Sequence, residues 1–207
     1  MKNLLFFALI FCAFVSNLHA DDCTTVYLVR HGQTDWNQKG RIQTIEDFPI
    51  NQTGKKQSQD LAEKFKNIPF KAVFSSGLTR ANQTALILVG ERSLKVVVDK
   101  RFIERSYGSW EGKPKKEYQD ARPEQKCDVE KDSIVNARAM EALTDIALRY
   151  PGDNVLIVSH GGVLRNVIAN LLKAPPTSIK PENAGYVILK YCDGEWVIKD
   201  MNDITKR

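Results

Sequence analysis

The sequence predicts an α/β fold: a three-layer sandwich with a mainly parallel central sheet, helices on both faces and an antiparallel edge near the C-terminus. Three observations lead there. Val26-Tyr27-Leu28-Val29 and Val155-Leu156-Ile157-Val158 are unbroken apolar runs, largely β-branched or aliphatic, as expected of strands covered on both faces. Between them, apolar residues recur at helical spacing, and strands alternating with helices make a parallel sheet. Near the C-terminus, residues 186–191 and 196–199 flank Cys192-Asp193-Gly194-Glu195, the turn chemistry of an antiparallel hairpin.

The first element is not part of that fold. Met1-Lys2-Asn3 is a short basic start, residues 4–15 are continuously apolar, and Leu18-His19-Ala20 places a small residue at a cleavage position. This is the layout of a secretory signal peptide. A membrane helix needs about 20 apolar residues, so no permanent span is expected. The sequence therefore predicts a leader over residues 1–20, a single domain over 21–207, and export to a periplasm or the extracellular space.

The first strand, around residues 26–29, leads to a helix in which Leu61, Phe65 and Ile68 form the apolar stripe and Thr53 stands as N-cap. Residues 71–75 and 94–98 read as further strands. Val135, Ala139, Ala142, Leu143, Ile146 and Tyr150 form a longer helical stripe that Pro151-Gly152 ends. The strand at 155–158 is followed directly by a helix over 162–173. Residues 113–132, polar and charged with Pro114 and Pro123, read as a solvated surface excursion.

Composition narrows the function. Hydrophobic residues make up 43% and charged residues 27% of the 207, the balance of a chain that folds around a core. A net charge of +5 suits an anionic ligand, but no dense basic run marks a nucleic-acid partner. With Cys12 in the leader, Cys23, Cys127 and Cys192 remain, an odd set with no paired spacing. Only His31 and His160 remain of the histidines, so neither a metal nor another cofactor is expected.

Each of those histidines ends a predicted buried strand and precedes glycine: Arg30-His31-Gly32 and Ser159-His160-Gly161-Gly162. Open parallel sheets bind ligands beyond the carboxyl ends of their strands. The glycines let backbone approach a ligand, Arg30 is a planar donor suited to phosphate, and the helix after Gly161 points its positive end at the same place.

At these residues the sequence resembles the histidine phosphatase superfamily, the phosphoglycerate mutase-like proteins. Leu28-Val29-Arg30-His31-Gly32-Gln33-Thr34 looks like its signature. Asn37 with Arg41-Ile42-Gln43, then Asp47-Phe48-Pro49-Ile50 with Gly54, follow in the family's order. So do Ser75-Ser76-Gly77-Leu78-Thr79-Arg80-Ala81, the segment Glu104 with Gly108, Trp110, Glu111 and Gly112, and Val158-Ser159-His160-Gly161-Gly162. The similarity covers about residues 25–170. One departure is Thr44, where similar members often carry glycine; it touches the loop bordering the substrate.

The resemblance implies a set of roles. His31 is the nucleophile and forms a phosphohistidine, Glu104 is the general acid and then the base for water, and Arg30, Asn37, Arg80 and His160 hold the phosphoryl group. Two nearby guanidinium groups favour the unprotonated imidazole that attack requires. Glu111 is the rival acid, although its place beside Gly112 reads as structural. Trp110 reads as core or pocket wall, and Ser75-Ser76 as strand end and cap, since no Gly-x-Ser-x-Gly turn is present. The acceptor-like triplets at Asn51 and Asn82 read as chance. The resemblance also implies an antiparallel strand at 186–191 beside the first strand, which brings Cys192 toward Cys23 for a disulfide and leaves Cys127 free.

The expected activity is hydrolysis of a small phosphomonoester by an exported, metal-independent phosphatase. Three alternatives stand beside it: a phosphoglycerate mutase-type isomerase, which Glu104-Arg105-Ser106-Tyr107-Gly108 partly resembles; a phosphoprotein phosphatase; and a non-catalytic phosphate-binding module.

Overall fold

A computed structural model describes residues 22–206. The leader expected over residues 1–20 lies outside them. Six strands form one sheet in the order β3-β2-β4-β1-β5-β6: β1 (Thr24–Arg30), β2 (Phe70–Ser75), β3 (Val96–Val98), β4 (Asn154–Ser159), β5 (Ile179–Cys192) and β6 (Glu195–Lys206). The β3–β2, β2–β4 and β4–β1 pairs are parallel; β5 lies antiparallel to β1, and β6 to β5. The mainly parallel sheet with an antiparallel C-terminal edge is the predicted arrangement.

The continuous apolar runs are explained by alternation between two cores. Val26 and Leu28 of β1, with Val155 and Ile157 of β4, face α5 (Asp132–Arg149) and α6 (Gly161–Leu172). Val29 of β1, with Leu156 and Val158 of β4, faces α2 (Gln52–Lys64) and α3 (Thr79–Val89). Both faces are covered, so neither parity of the strand is polar. Among the described residues, no helix is long and apolar enough to cross a membrane.

Several predicted boundaries move. The α2 N-cap is Asn51 rather than Thr53: its Oδ1 accepts from the Gly54 amide at 2.9 Å, and Thr53 lies inside the helix. The buried stripe is Gly54, Ser58 and Leu61, continued by Phe65 at the C-cap, while Ile68 lies in the turn beyond. The β3 strand is shorter than residues 94–98.

The C-terminal hairpin is longer than predicted. Its turn residues Asp193 and Gly194 have φ of 52° and 84°, the left-handed pair that joins twisted strands tightly. Residues 182–185, Glu-Asn-Ala-Gly, are absorbed by a register shift in β5, and residues 200–206 continue β6. Cys23 and Cys192 form the disulfide that the resemblance implied, with Cα atoms 4.7 Å apart, and Cys127 is free and exposed.

The 113–132 segment is not a plain solvated loop. It contains α4 (Lys115–Asp120) and a helical turn over Pro123–Lys126. The Ile42 amide donates to the Lys113 carbonyl at 2.9 Å and the Lys115 amide to Gly40 at 2.8 Å, which ties this segment to the loop after α1 (Asp35–Gln38). Trp110, buried, donates from Nε1 to the Gln125 carbonyl at 2.8 Å and packs edge-on to Tyr118. Indole and phenol thus supply the apolar centre that the polar sequence hid.

Candidate active site

Three neighbouring parallel strands end together. The ladder continues one residue past each: the His31 amide donates to the Ser159 carbonyl at 3.0 Å, and the Ser76 amide to Val158 at 3.3 Å. His31, His160 and Ser76 therefore emerge side by side above β1, β4 and β2, at the carboxyl edge where a doubly covered sheet binds ligands. The imidazole centroids are 5.1 Å apart, and the residues are 3% and 0% exposed.

The tautomer of His31 follows from its partner. Nδ1 lies 2.7 Å from the carbonyl oxygen of Gly32, which can only accept. Nδ1 therefore carries the proton and Nε2 the free lone pair. Burial first, then the Arg80 and Arg30 cations, hold the His31 pKa well below the usual histidine range, so the ring is a neutral nucleophile near pH 7. His160 is held low for the same reasons, burial foremost. Its Nε2 shares a 2.7 Å hydrogen bond with Ser76 Oγ, so Ser76 is a partner of the second histidine rather than only a cap.

The arginines are built in from opposite sides. Arg30 donates from Nη1 to the Pro181 carbonyl at 2.8 Å, and its buried Nε has no partner among the described residues. A side chain on Gly161 would bring Cβ within 3.2 Å of that Nε, so glycine makes room for the guanidinium. Arg80, on the first turn of α3, is fully buried; it donates to the carbonyls of Thr44 at 2.7 Å and Glu46 at 3.2 Å, and its Nε is likewise unpartnered. Burial pushes the Arg80 pKa down to about 10. Two cations, Arg80 buried and Arg30 half-buried, each holding an unused buried donor, form a site for a multiply charged anion.

Glu111 explains how Arg80 is held. Its Oε1 accepts from the amides of Thr44 at 2.8 Å and Glu46 at 3.0 Å, fixing the loop whose carbonyls grip the guanidinium. Asp47 accepts from the Thr79 amide and hydroxyl, both at 2.6 Å, and fastens that loop to the start of α3. Thr44 serves Arg80 through its carbonyl, so the departure from glycine there leaves the contact intact.

Glu104 sits against the start of α6. Its Oε1 accepts from the Arg105 amide at 2.8 Å and the Gly162 amide at 3.0 Å, satisfying a donor that a helix start leaves open. Arg138 reaches from α5 to donate to the Arg101 and Ile103 carbonyls, both at 2.7 Å, and is paired with Glu130 at 2.9 Å. Asn37 lies on α1, whose capping box with Thr34 fixes it; its Oδ1 also accepts from Asn183 Nδ2 at 3.0 Å.

The structure thus gathers His31, His160, Arg30 and Arg80 with Glu104 at one strand edge and links Asn37 to them through Asn183. Four residues of the surroundings lacked a readable signal: Asn183 and Arg138, and Lys115 and Arg165. Arg165 donates to the Tyr107 hydroxyl at 3.0 Å and is close enough to Arg30 to repel it. Lys115 is accessible as a residue, yet burial of its ammonium and the Arg30 cation push its pKa down to about 8. Both acceptor-like asparagines have internal work: Asn51 caps α2, and Asn82 accepts from Ser75 Oγ at 3.1 Å.

Comparison with known proteins agrees with this geometry. Residues 26–204 match the family model of the histidine phosphatase superfamily (branch 1). The chain is 33% identical over 182 residues to the uncharacterized phosphatase PhoE of Bacillus subtilis, covering 86% of this chain and 94% of the relative. It is 33% identical over 200 residues to the metal-independent phosphoserine phosphatase of Arabidopsis thaliana, covering 89% and 83%. Among solved structures, Bacillus stearothermophilus YhfR superposes with a TM-score of 0.78 at 29% identity, covering 85% of this chain and 95% of that one.

Proposed function

The chain belongs to the histidine phosphatase superfamily as a phosphatase, and we propose that it is exported and hydrolyses a small phosphomonoester through a phosphohistidine at His31. The observation that carries this reading is the 2.7 Å contact of His31 Nδ1 with the Gly32 carbonyl, which leaves Nε2 unprotonated near the buried Arg80 and the half-buried Arg30.

In the first step, the Nε2 lone pair of His31 attacks phosphorus and the bond to the leaving oxygen breaks. Glu104 gives that oxygen a proton, releasing an alcohol. In the second step, water attacks the phosphohistidine, Glu104 takes its proton, and the P–N bond breaks to give inorganic phosphate and free His31. Arg30 and Arg80 hold the equatorial oxygens throughout, where charge accumulates. Asn37 and His160 complete the grip.

A small substrate is supported by the Arabidopsis relative, whose name gives phosphoserine as its substrate. Export is supported by the leader-like start and by the Cys23–Cys192 disulfide, a bond that persists in oxidising compartments. The test is a panel of small phosphomonoesters, including phosphoserine and 3-phosphoglycerate, with a chelator present. Phosphate release with negligible conversion of 3- to 2-phosphoglycerate is expected. Isomerisation that outruns phosphate release makes the protein a mutase, a strong preference for phosphopeptides makes it a phosphoprotein phosphatase, and neither activity makes it a binding module. Fractionation of the source cells that finds the leader uncleaved in the cytoplasm overturns export.

A further inference from the structure

The register shift in β5 lies directly behind the reacting histidine, and three of its residues reach the phosphate pocket. Pro181 accepts from Arg30 at 2.8 Å; the Ala184 amide, from a residue with φ of 59°, donates to the His31 carbonyl at 3.2 Å. Between them, Asn183 Nδ2 donates to that same carbonyl at 3.2 Å and to Asn37 Oδ1 at 3.0 Å. One side-chain amide therefore joins the backbone of the nucleophile to the neutral donor of the pocket.

We propose that Asn183 is a positioning residue that fixes which way the Asn37 carboxamide faces. Asn37 Oδ1 accepts from two groups that can only donate, the Thr34 amide at 3.2 Å and Asn183 Nδ2 at 3.0 Å. Turning the carboxamide over would set its NH₂ against both donors and leave each without an acceptor. With Oδ1 committed, Nδ2 and its hydrogens are the end presented to a phosphoryl oxygen. An Oδ1 in that place would repel the anion, so the orientation decides the sign of the contact. Thr34 alone supplies one such constraint; Asn183 supplies the second and links it to the His31 backbone.

This inference rests on the phosphatase reading, and its test keeps the two apart. Four proteins are compared: wild type, N37A, N183A and N37A/N183A, assayed for hydrolysis of p-nitrophenyl phosphate and for affinity toward inorganic phosphate. Asn183→Ala should lower kcat/KM and phosphate affinity about tenfold each, the size of one directed hydrogen bond. In the N37A background the same change should cost less than about threefold, because the group it positions is gone. The Ala184 amide still holds the His31 carbonyl in every variant. Asn183→Asp, which keeps the shape but accepts a hydrogen bond, should lose more than N183A with Asn37 present. Equal losses in both backgrounds make Asn183 scaffolding and overturn the proposal, as does wild-type behaviour of N183A. A wild type that binds phosphate but hydrolyses nothing refutes the phosphatase reading alone, since the phosphate affinities still decide the role of Asn183.

Discussion

The Gly162 amide donates to Glu104 Oε1 at 3.0 Å, and a Cβ on that glycine would lie 2.3 Å from the same oxygen. The start of α6 and the carboxylate proposed as the acid therefore meet only because residue 162 has no side chain. Position 162 is a buried position in the first turn of α6, and the added Cβ would also come to 3.2 Å from the Arg105 Cβ.

Gly162→Ala is therefore a lesion aimed at Glu104, the nearest group to the added carbon. The fold should hold, because the flexible Glu104 side chain can swing aside and helix propensity favours alanine. The displaced carboxylate should lower kcat at least about tenfold for alkyl phosphates, whose leaving oxygen needs the proton. A phenolic leaving group with a low pKa should feel it less, and inhibition by inorganic phosphate should change little. Unchanged turnover of alkyl phosphates would remove Glu104 from the role of acid.

Glu111 gives the complementary case. Its Oε1 accepts from the Thr44 and Glu46 amides, a geometry glutamine can keep, although the negative charge that favours the Arg80 cation is lost. Glu111→Gln should stay within about threefold of wild type, whereas Glu104→Gln should lose about 10²-fold or more, the scale of general acid catalysis. Glu111→Ala should raise KM by freeing the loop that grips Arg80. The reverse ranking of the two glutamine variants would exchange the assignments.

Acid stability should report the buried imidazoles. His31 and His160 have folded pKa values well below the usual range, burial being the main cause, while the unfolded chain protonates near the usual value of about 6.5. Below that pH the unfolded state binds more protons, so stability falls as pH drops from about 6.5 toward the folded values. In phosphate-free buffer, Tm should decline between about pH 7 and pH 5, and His31→Asn should flatten part of that decline. Identical slopes for the two proteins would contradict neutral burial of His31.

The disulfide closes 169 residues of sequence between Cys23 and Cys192. Losing such a link costs about 2–5 kcal/mol, mainly through a less constrained unfolded chain. Cys192→Ser, or reduction of the wild type, should lower Tm clearly with kcat unchanged, because the bond lies at the opposite end of β1 from His31. An unshifted Tm would mean that the β1–β5 pairing alone holds the edge.

What could be read from the sequence divides along physical lines. The parallel strands were legible because burial on both faces leaves no polar residue from Val26 to Val29 or from Val155 to Val158. His31 and His160 stood out because strand end, glycine and charge coincide there. The α2 start was displaced to Thr53 because Asn51 and Thr53 are both capping types, and only the bond to Gly54 separates them. Residues 113–132 read as solvated because their order comes from Trp110 packing on Tyr118 and from backbone bonds to residues 40–42. Asn183 carried no signal, since its value lies in a β5 register shift that sets it beside a residue 146 positions earlier.

The central claim is covalent catalysis by His31, and trapping the intermediate tests it most directly. Wild-type protein, mixed with a good small phosphomonoester, is quenched within the first turnover under alkaline conditions that preserve phosphohistidine, then digested and mapped by mass spectrometry. The account predicts one phosphoryl group on the peptide containing His31, bonded through Nε2, with a matching burst of released alcohol, and neither signal in His31→Asn. Sustained hydrolysis with no phosphopeptide and no burst, or a phosphoryl group on His160 or any other residue, would contradict it.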